Sequence, residues 1–288
     1  MNGSIGLVFG GGGGKGAYQI GVWQALQEAK LEVHIGAVAG TSVGALNGAL
    51  FCMGDLPRAK QIWSTIAPGQ ILTPQTGEIR STPLKKYGED GWFSDEGLRR
   101  LIDTAVRPLL LCRQPRPFYV TASRLSSHPL FYDYVKAHSE KNLFYSIASA
   151  LAIRLFRFQT TPVYFQVHCQ PPGRIPQILL ASSAIPLVFP EVVIDGNAYI
   201  DGGIEDNVPV LPLYRAGMRK FVVVTMDARP RIPRFPNAQI VQVNLAEKGA
   251  LQSLEGTFDF TPESAVRHME AGYRDTVARL EEIRALAQ

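Results

Sequence analysis

Cysteine and long apolar runs are both scarce in this sequence, and each scarcity excludes a class of protein. Its three cysteines, Cys52, Cys112 and Cys169, are too few and too scattered for a disulfide framework, and they lack metal-ligand spacing. No apolar stretch is long enough to span a bilayer, and no basic region precedes the short apolar stretch at the N-terminus. We therefore predict a cytoplasmic protein without a metal site.

The composition fits one large globular domain. Of the 288 residues, 46% are hydrophobic and 19% are charged, which suits a single domain over residues 1–288 with a sizeable core. Apolar segments that read as strands alternate with helical segments. This alternation predicts an α/β fold, a three-layer α/β/α arrangement with a mostly parallel central sheet and helices on both faces. The predicted strands are 5–9, 35–39, 117–122, 221–226 and 239–245.

Glycine is abundant, and a glycine-rich run over residues 10–16 joins the first predicted strand to a predicted helix. The backbone N–H groups at such a junction are free to bind negative charge. The spacing Gly11-x-Gly13-x-x-Gly16 formally matches the dinucleotide fingerprint, but no acidic residue stands near the end of the second predicted strand. We therefore expect no nucleotide cofactor.

Two other interpretations of the same loop are a phosphate-binding loop and an oxyanion hole. A magnesium-dependent phosphate loop requires Ser or Thr after the lysine, whereas Gly16 follows Lys15. The remaining interpretation is an oxyanion hole, in which N–H groups stabilise the negative charge of a tetrahedral acyl intermediate. The donors would be the N–H groups of Gly12, Gly13 and Gly14.

Ser42 is the candidate nucleophile. It stands in Gly40-Thr41-Ser42-Val43-Gly44, after the predicted strand 35–39 and before a predicted helix over 45–53. This is the nucleophile-elbow pattern, in which a tight turn strains the serine backbone and projects its hydroxyl outward. Glycines on both sides would let neighbouring backbone pass closely. Three fixed residues also arise by chance in a chain with 27 glycines, so the strand-turn-helix context is what favours catalysis.

Asp201 is the candidate acidic partner. It ends an apolar segment and precedes Gly202 and Gly203, although Asp-Gly alone indicates no more than a common turn. Its context is more specific, because the segment Ala-Ser-Ser-Ala-Ile-Pro at 181–186 precedes it.

Taken together, the glycine loop, Gly-Thr-Ser-x-Gly at 40–44, the segment at 181–186 and Asp-Gly-Gly at 201–203 resemble the patatin-like phospholipase family. The resemblance implies a Ser42–Asp201 dyad, an oxyanion hole at residues 12–14, and phospholipase A or lysophospholipase activity on a lipid or lysophospholipid substrate. One departure is Gly14, where many members carry a side chain. We expect this change to loosen the loop slightly.

The residues alone imply only cleavage of an ester or a thioester. Acyl transfer or thioester cleavage by the same dyad stays open. So does a latent effector phospholipase that a partner or a small molecule activates.

The histidines argue against a triad in the order Ser, acid, His. Only His268 follows Asp201, and it lies in a charged amphipathic helix predicted over 262–287, where we expect a surface position. Asp201 must then accept the Ser42 proton itself. The other histidines share no metal-ligand spacing and read as surface or packing residues: His34, His128, His138 and His168.

The middle of the chain is basic, with eight Lys and Arg residues against two acidic residues between positions 107 and 157. The apolar segment 143–158 carries Arg154 and Arg157 near one end, as an interfacial helix would. Its apolar residues surround the helix, which slightly favours burial on the sheet. We predict a basic, apolar cap or membrane-facing insertion around 125–160, with peripheral membrane contact as the second interpretation. Nucleic acid is not an expected partner, because no stacking platform or binding motif accompanies the cations.

Overall fold

The apolar segments form strands of one large sheet in a computed structural model, which describes residues 5–74, 93–126, 160–186, 188–227, 230, 232–245 and 254–288. The strands of this sheet are β1 (Ile5–Phe9), β2 (Ile35–Thr41), β5 (Phe118–Leu125), β6 (Thr160–Gln166), β7 (Val192–Ile194), β8 (Asn197–Asp201), β9 (Lys220–Thr225) and β10 (Gln239–Asn244), and a separate two-stranded sheet consists of β3 (Thr73–Pro74) and β4 (Phe93–Ser94).

Helices surround this sheet. They are α1 (Ala17–Glu28), α2 (Val43–Met53), α3 (Leu56–Thr65), α4 (Pro68–Ile71), α5 (Glu96–Ala105), α6 (Pro108–Arg113), α7 (Ile175–Ser182), α8 (Leu211–Arg215), α9 (Leu254–Thr257), α10 (Pro262–Val277) and α11 (Leu280–Ala287).

The main sheet has the strand order β10-β9-β1-β2-β5-β8-β7, with β6 also paired to β5. Strands β10, β9, β1, β2 and β5 run parallel, whereas β6, β7 and β8 pair antiparallel. The predicted α/β class with a mostly parallel sheet is therefore confirmed. The antiparallel strands were not predicted.

Two strands share one edge of β5, and this arrangement positions the site. Because β6 pairs with β5 along residues 119–125, β2 and β8 must both use the opposite edge. β2 ends with Thr41 opposite Thr121, and the antiparallel β8 ends with Asp201 opposite the next residue, Ala122. The two strands thus run toward each other and end at adjacent positions of β5.

The core lies on both faces of the sheet, as the alternation of side chains along a strand requires. Leu7 and Phe9 of β1 join a large cluster with residues of α1, α2, α7 and α10. Val8 joins a smaller cluster on the other face, which includes Leu213 of α8. The predicted helices on both faces are present, and the first face carries more of them.

Helix α10 begins as its sequence predicts, with Pro262 at the first position and the Thr261 side chain accepting a hydrogen bond from the Ser264 N–H. It packs closely on α1, because a Cβ on Gly272 would collide with the Tyr18 carbonyl oxygen.

The predicted surface position of His268 is wrong, because its side chain is fully buried in this packing. His268 shares the buried face of α10 with two small residues, Ala265 and Ala271. The spacing of these alanines was the sequence signal for burial, and the charges on the rest of the helix obscured it.

Residues 127–159 are outside the described part of the chain, and so is most of the predicted insertion at 125–160, including the segment 143–158. The cap and the membrane contact stay predictions, as does the single-domain organisation. In the described ranges, no helix is both long and apolar enough to cross a bilayer.

Candidate active site

Ser42 joins the end of β2 to the start of α2 with a strained backbone, at φ 57° and ψ −128°. Residues other than glycine rarely adopt this conformation, so the strain predicted for a nucleophile elbow is present. Close backbone contacts explain the flanking glycines. A Cβ on Gly40 would collide with the Gly44 carbonyl oxygen, and one on Gly44 would lie 2.7 Å from the Gly10 carbonyl oxygen.

A second serine supports the strained residue. The Ser42 backbone N–H donates to Ser182 Oγ at 2.9 Å, and Ser182 Oγ donates to the Thr121 carbonyl oxygen at 2.6 Å. Ser182 is fully buried at the end of α7. The sequence showed Ser182 only as part of the segment 181–186, with no role of its own, because its partners are distant in the chain.

Asp201 is held by hydrogen bonds on each side. Its N–H donates to the Ala184 carbonyl oxygen at 2.8 Å, and its carbonyl oxygen accepts from Ser123 Oγ at 2.9 Å. Its carboxylate accepts a hydrogen bond from the Gly203 N–H at 2.7 Å, and the Ser42 side chain lies near enough to favour the charged form of the carboxylate. The structure therefore places Ser42 and Asp201 side by side, at adjacent positions along β5.

Burial dominates the electrostatics of Asp201. It raises the pKa of the carboxyl to about 6, although the nearby Ser42 hydroxyl and the hydrogen bond from the Gly203 N–H favour the charged form. Within the described residues, no histidine is hydrogen-bonded to this carboxylate. The group is therefore a stronger base than an ordinary aspartate and is still mostly ionised at pH 7.

The glycine loop lies against Ser42. A Cβ on Gly11 would be 3.3 Å from Ser42 Cβ. The backbone hydrogen bonds of the loop use the N–H groups of Gly10, Gly11 and Lys15. Gly12 caps a short 3-10 turn over Gly13–Gly16, and the first N–H groups of such a turn have no partner inside it. In the described part of the chain, the N–H groups of residues 12–14 donate no hydrogen bond to other backbone.

The C-terminal part of the chain covers the far side of the loop. A Cβ on Gly13 would collide with the Thr257 carbonyl oxygen, and one on Gly14 would collide with that of Asp259. The expectation that Gly14 loosens the loop does not hold, because the backbone at Asp259 fills the space that a side chain would take. Gly13 also has a φ of 57°, which favours glycine.

Among the described residues, His268 makes no hydrogen bond to Ser42 or Asp201. Its Nδ1 lies 3.4 Å from Ser264 Oγ. Burial lowers the pKa of His268, and the positive charges of Lys15 and Arg267 lower it further, so the ring is neutral at pH 7. Among the described residues, no cluster of His, Cys, Asp or Glu is arranged to hold a metal ion.

A serine on a strained strand-to-helix turn, next to a buried carboxylate and a loop of open backbone donors, defines a serine-centred site in an α/β protein. The chain belongs to the patatin-like phospholipase family, because the model of that family matches residues 7–214.

Individual relatives are much longer than this chain. It is 25% identical over 231 residues to "Lysophospholipase NTE1" of Cryptococcus neoformans var. neoformans serotype D (strain JEC21 / ATCC MYA-565). The alignment covers 79% of this chain and 12% of that relative. A 49-residue alignment to "Neuropathy target esterase sws" of Drosophila melanogaster is 57% identical and covers 17% of this chain and 3% of that protein. The chain thus spans about an eighth of the first relative's length.

Among solved structures, this chain is similar to VipD from Legionella pneumophila, with a TM-score of 0.43 and 13% sequence identity. The superposition covers 97% of this chain and 67% of the VipD chain.

Proposed function

We propose that this chain is a lipid acyl hydrolase that cleaves acyl esters of phospholipids or lysophospholipids through Ser42 and Asp201. The observation that carries the proposal is the placement of the strained Ser42 beside the buried Asp201 carboxylate, at the point where β2 and β8 end on adjacent residues of β5. Membership of the patatin-like family and the names of the two relatives support a lipid ester as the substrate.

In the first half of the proposed reaction, Ser42 Oγ attacks the ester carbonyl carbon while its proton passes to Asp201. The N–H groups of Gly12, Gly13 and Gly14 stabilise the oxyanion of the tetrahedral intermediate. The carbon–oxygen bond to the leaving alcohol then breaks, and Asp201 returns the proton to that alcohol. The acyl chain stays on Ser42 as an ester.

In the second half, Asp201 takes a proton from a water molecule that attacks the acyl-enzyme. The new tetrahedral intermediate collapses to release the fatty acid, and the proton returns to Ser42 Oγ. The raised pKa of Asp201 suits both steps, because a carboxylate is otherwise a weak base for a hydroxyl proton.

The test is release of free fatty acid from phosphatidylcholine and lysophosphatidylcholine, measured by mass spectrometry with EDTA present. We expect wild-type protein to release fatty acid and Ser42→Ala and Asp201→Asn to release none above background. Two matched controls make the same chemical changes at exposed positions: Ser64→Ala on α3 and Asp195→Asn in the turn between β7 and β8. Both should behave as wild type.

The products also separate the alternatives. An acyl chain that appears on an added alcohol in place of free fatty acid would identify an acyltransferase. Release that requires cell extract or an added small molecule would identify a gated enzyme. Equal release by wild type and Ser42→Ala would contradict the proposal.

We further propose peripheral contact with anionic lipid through the segment 143–158, on the strength of its sequence. Reversing charge with Arg154→Glu and Arg157→Glu should weaken sedimentation with anionic liposomes at low salt, where surface attraction is least screened. Arg279→Glu with Arg284→Glu makes the same charge change at the surface near the C-terminus. Unchanged liposome binding in the first variant, or equal weakening in both, would contradict the proposal.

A further inference from the structure

A chain of buried amide side chains connects the glycine loop to the helix that follows Ser42. Gln19 Nε2 donates to the Gly10 carbonyl oxygen at 2.7 Å, and Asn47 Nδ2 donates to the Gly16 carbonyl oxygen at 2.9 Å. The two amides are joined by a hydrogen bond from Asn47 Nδ2 to Gln19 Oε1 at 2.9 Å. Trp63 Nε1 completes the chain by donating to Asn47 Oδ1 at 3.0 Å.

Obligatory partners fix the orientation of both amides. A carbonyl oxygen can only accept and an indole N–H can only donate, so Gly10, Gly16 and Trp63 leave one consistent assignment of nitrogen and oxygen. Every polar group of this network has a partner. Gln19 and Asn47 are at most 1% exposed, so an amide that rotated or moved would leave buried polar atoms unpaired.

The two carbonyl groups that the network binds are at the two ends of the glycine loop. A loop with this many glycines has little intrinsic preference for one conformation. Gly16 packs closely on α2, because a Cβ there would collide with Val43 Cγ2. Such packing limits how near the loop can come to α2, but it does not set the rotation of the loop. The hydrogen bonds from Gln19 and Asn47 are directional, and they restrict the rotation of the loop at both ends.

We propose that Gln19 and Asn47 are positioning residues that hold the N–H groups of Gly12, Gly13 and Gly14 in register with Ser42. Asn47 lies on α2, five residues after Ser42, so the loop and the nucleophile share one rigid support. The inference rests on the proposed function, since it assigns these amides a role only if the loop stabilises an oxyanion. A small displacement of such donors is costly, because they must meet the oxyanion at hydrogen-bond distance.

The test uses Gln19→Met with Asn47→Leu, which replaces both amides by apolar side chains of similar size. Trp63→Phe is the matched control, because it removes one bond of the same buried network and keeps both bonds to the loop. The measurements are the stoichiometry of Ser42 labelling by a fluorophosphonate probe, and kcat and KM for lysophosphatidylcholine. We expect full labelling stoichiometry in every protein, a fall of about 10- to 100-fold in kcat with little change of KM in the double variant, and near-wild-type kcat in Trp63→Phe.

Three outcomes would overturn the inference. Wild-type kcat in the double variant would show that the network does not position the loop. Reduced labelling stoichiometry with unchanged turnover per labelled site would show a purely structural role, and so would an equal loss of kcat in Trp63→Phe. Failure of the proposed function itself looks different, because the wild-type protein would then not be labelled at Ser42.

Discussion

The two strand ends that meet on β5 are held in different ways. On the β2 side, Ser42 has a strained backbone, and glycines at positions 40 and 44 allow the neighbouring chain to approach it. On the β8 side, Asp201 has an ordinary backbone, at φ −47° and ψ 130°, and is held by hydrogen bonds to Ala184 and Ser123. Activity should therefore be lost when atoms are added to the closely packed glycines near Ser42, and when the negative charge of Asp201 is removed.

The largest effect should come from Asp201→Asn. The side chain keeps its shape, but an amide cannot take the Ser42 proton, so kcat should fall by about a thousandfold or more. The measurement is steady-state hydrolysis of lysophosphatidylcholine, with circular dichroism to verify the fold. Activity within tenfold of wild type would show that the aspartate is not the base.

Adding one carbon to the glycine loop should come next. Gly13→Ala would push Cβ against the Thr257 carbonyl oxygen and displace the proposed donors, so we expect kcat to fall about a hundredfold. Gly54→Ala is the control, because Gly54 also has a positive φ, at 74°, yet a Cβ there would meet nothing within 4 Å. Equal kcat values in the two variants would exclude the loop from catalysis.

The pH dependence of kcat/KM tests the role of Asp201 as a base without a mutation. With the pKa of Asp201 at about 6, kcat/KM should rise tenfold per pH unit below 6 and level off above it. An acid limb centred near pH 4 would mean that the carboxyl is not buried during catalysis.

The raised pKa of Asp201 also predicts how the free energy of unfolding depends on pH. The folded state binds this proton more tightly than the unfolded state, whose pKa is near 3.8, so ionised Asp201 destabilises the fold above pH 6 and this cost disappears as the pH falls toward 4. Asp201→Asn should therefore raise the free energy of unfolding at pH 8, by up to about 3 kcal/mol, and by little at pH 4. Equal stabilisation at both pH values would contradict the assignment.

A smaller effect should follow from Ser182→Ala. This change leaves the buried Ser42 N–H and Thr121 carbonyl without their partner, so we expect a loss of about 1 to 3 kcal/mol in stability and about tenfold in kcat. Ser183→Ala is the neighbouring control, because the buried Ser183 Oγ makes no hydrogen bond within the described structure. Denaturant unfolding and steady-state kinetics would show whether the two serines differ.

The smallest effect on activity should come from His268→Ala. The residue is buried and, within the described structure, makes no hydrogen bond to Ser42 or Asp201. The variant should therefore lose stability through the cavity it leaves, by about 2 kcal/mol or more, and keep kcat within about threefold of wild type. A large loss of kcat with the fold intact would indicate a triad instead of a dyad.

The parts of the site that are local in sequence were predictable. The glycine loop and the elbow lie at junctions of apolar strands and helices, and the elbow glycines Gly40 and Gly44 reflect backbone contacts within residues 9–44. The contacts of Gly13 and Gly14 with the chain at Thr257 and Asp259 were not predictable in this way. The central parallel strands β1, β2 and β9 were predictable for a similar reason, since each is an apolar run buried on both faces. The edge strand β10 is buried on one face and has polar residues on the other.

What the sequence did not reveal depends on contacts between distant segments. β8 is a short strand whose position beyond the end of β2 follows from its pairing with β5 and not from its own pattern. Ser182, Gln19 and Asn47 are ordinary polar residues until the fold supplies their partners. His268 was misjudged because the charges on α10 outweighed its two alanine neighbours.

The activation of Ser42 by Asp201 is tested most directly by covalent labelling with a fluorophosphonate probe, with EDTA present and the modified peptide mapped by mass spectrometry. We expect labelling of wild-type protein at Ser42, none in Ser42→Ala, and labelling slowed by orders of magnitude in Asp201→Asn. Labelling at another residue, or equal rates in wild type and Asp201→Asn, would contradict a nucleophile activated by this aspartate.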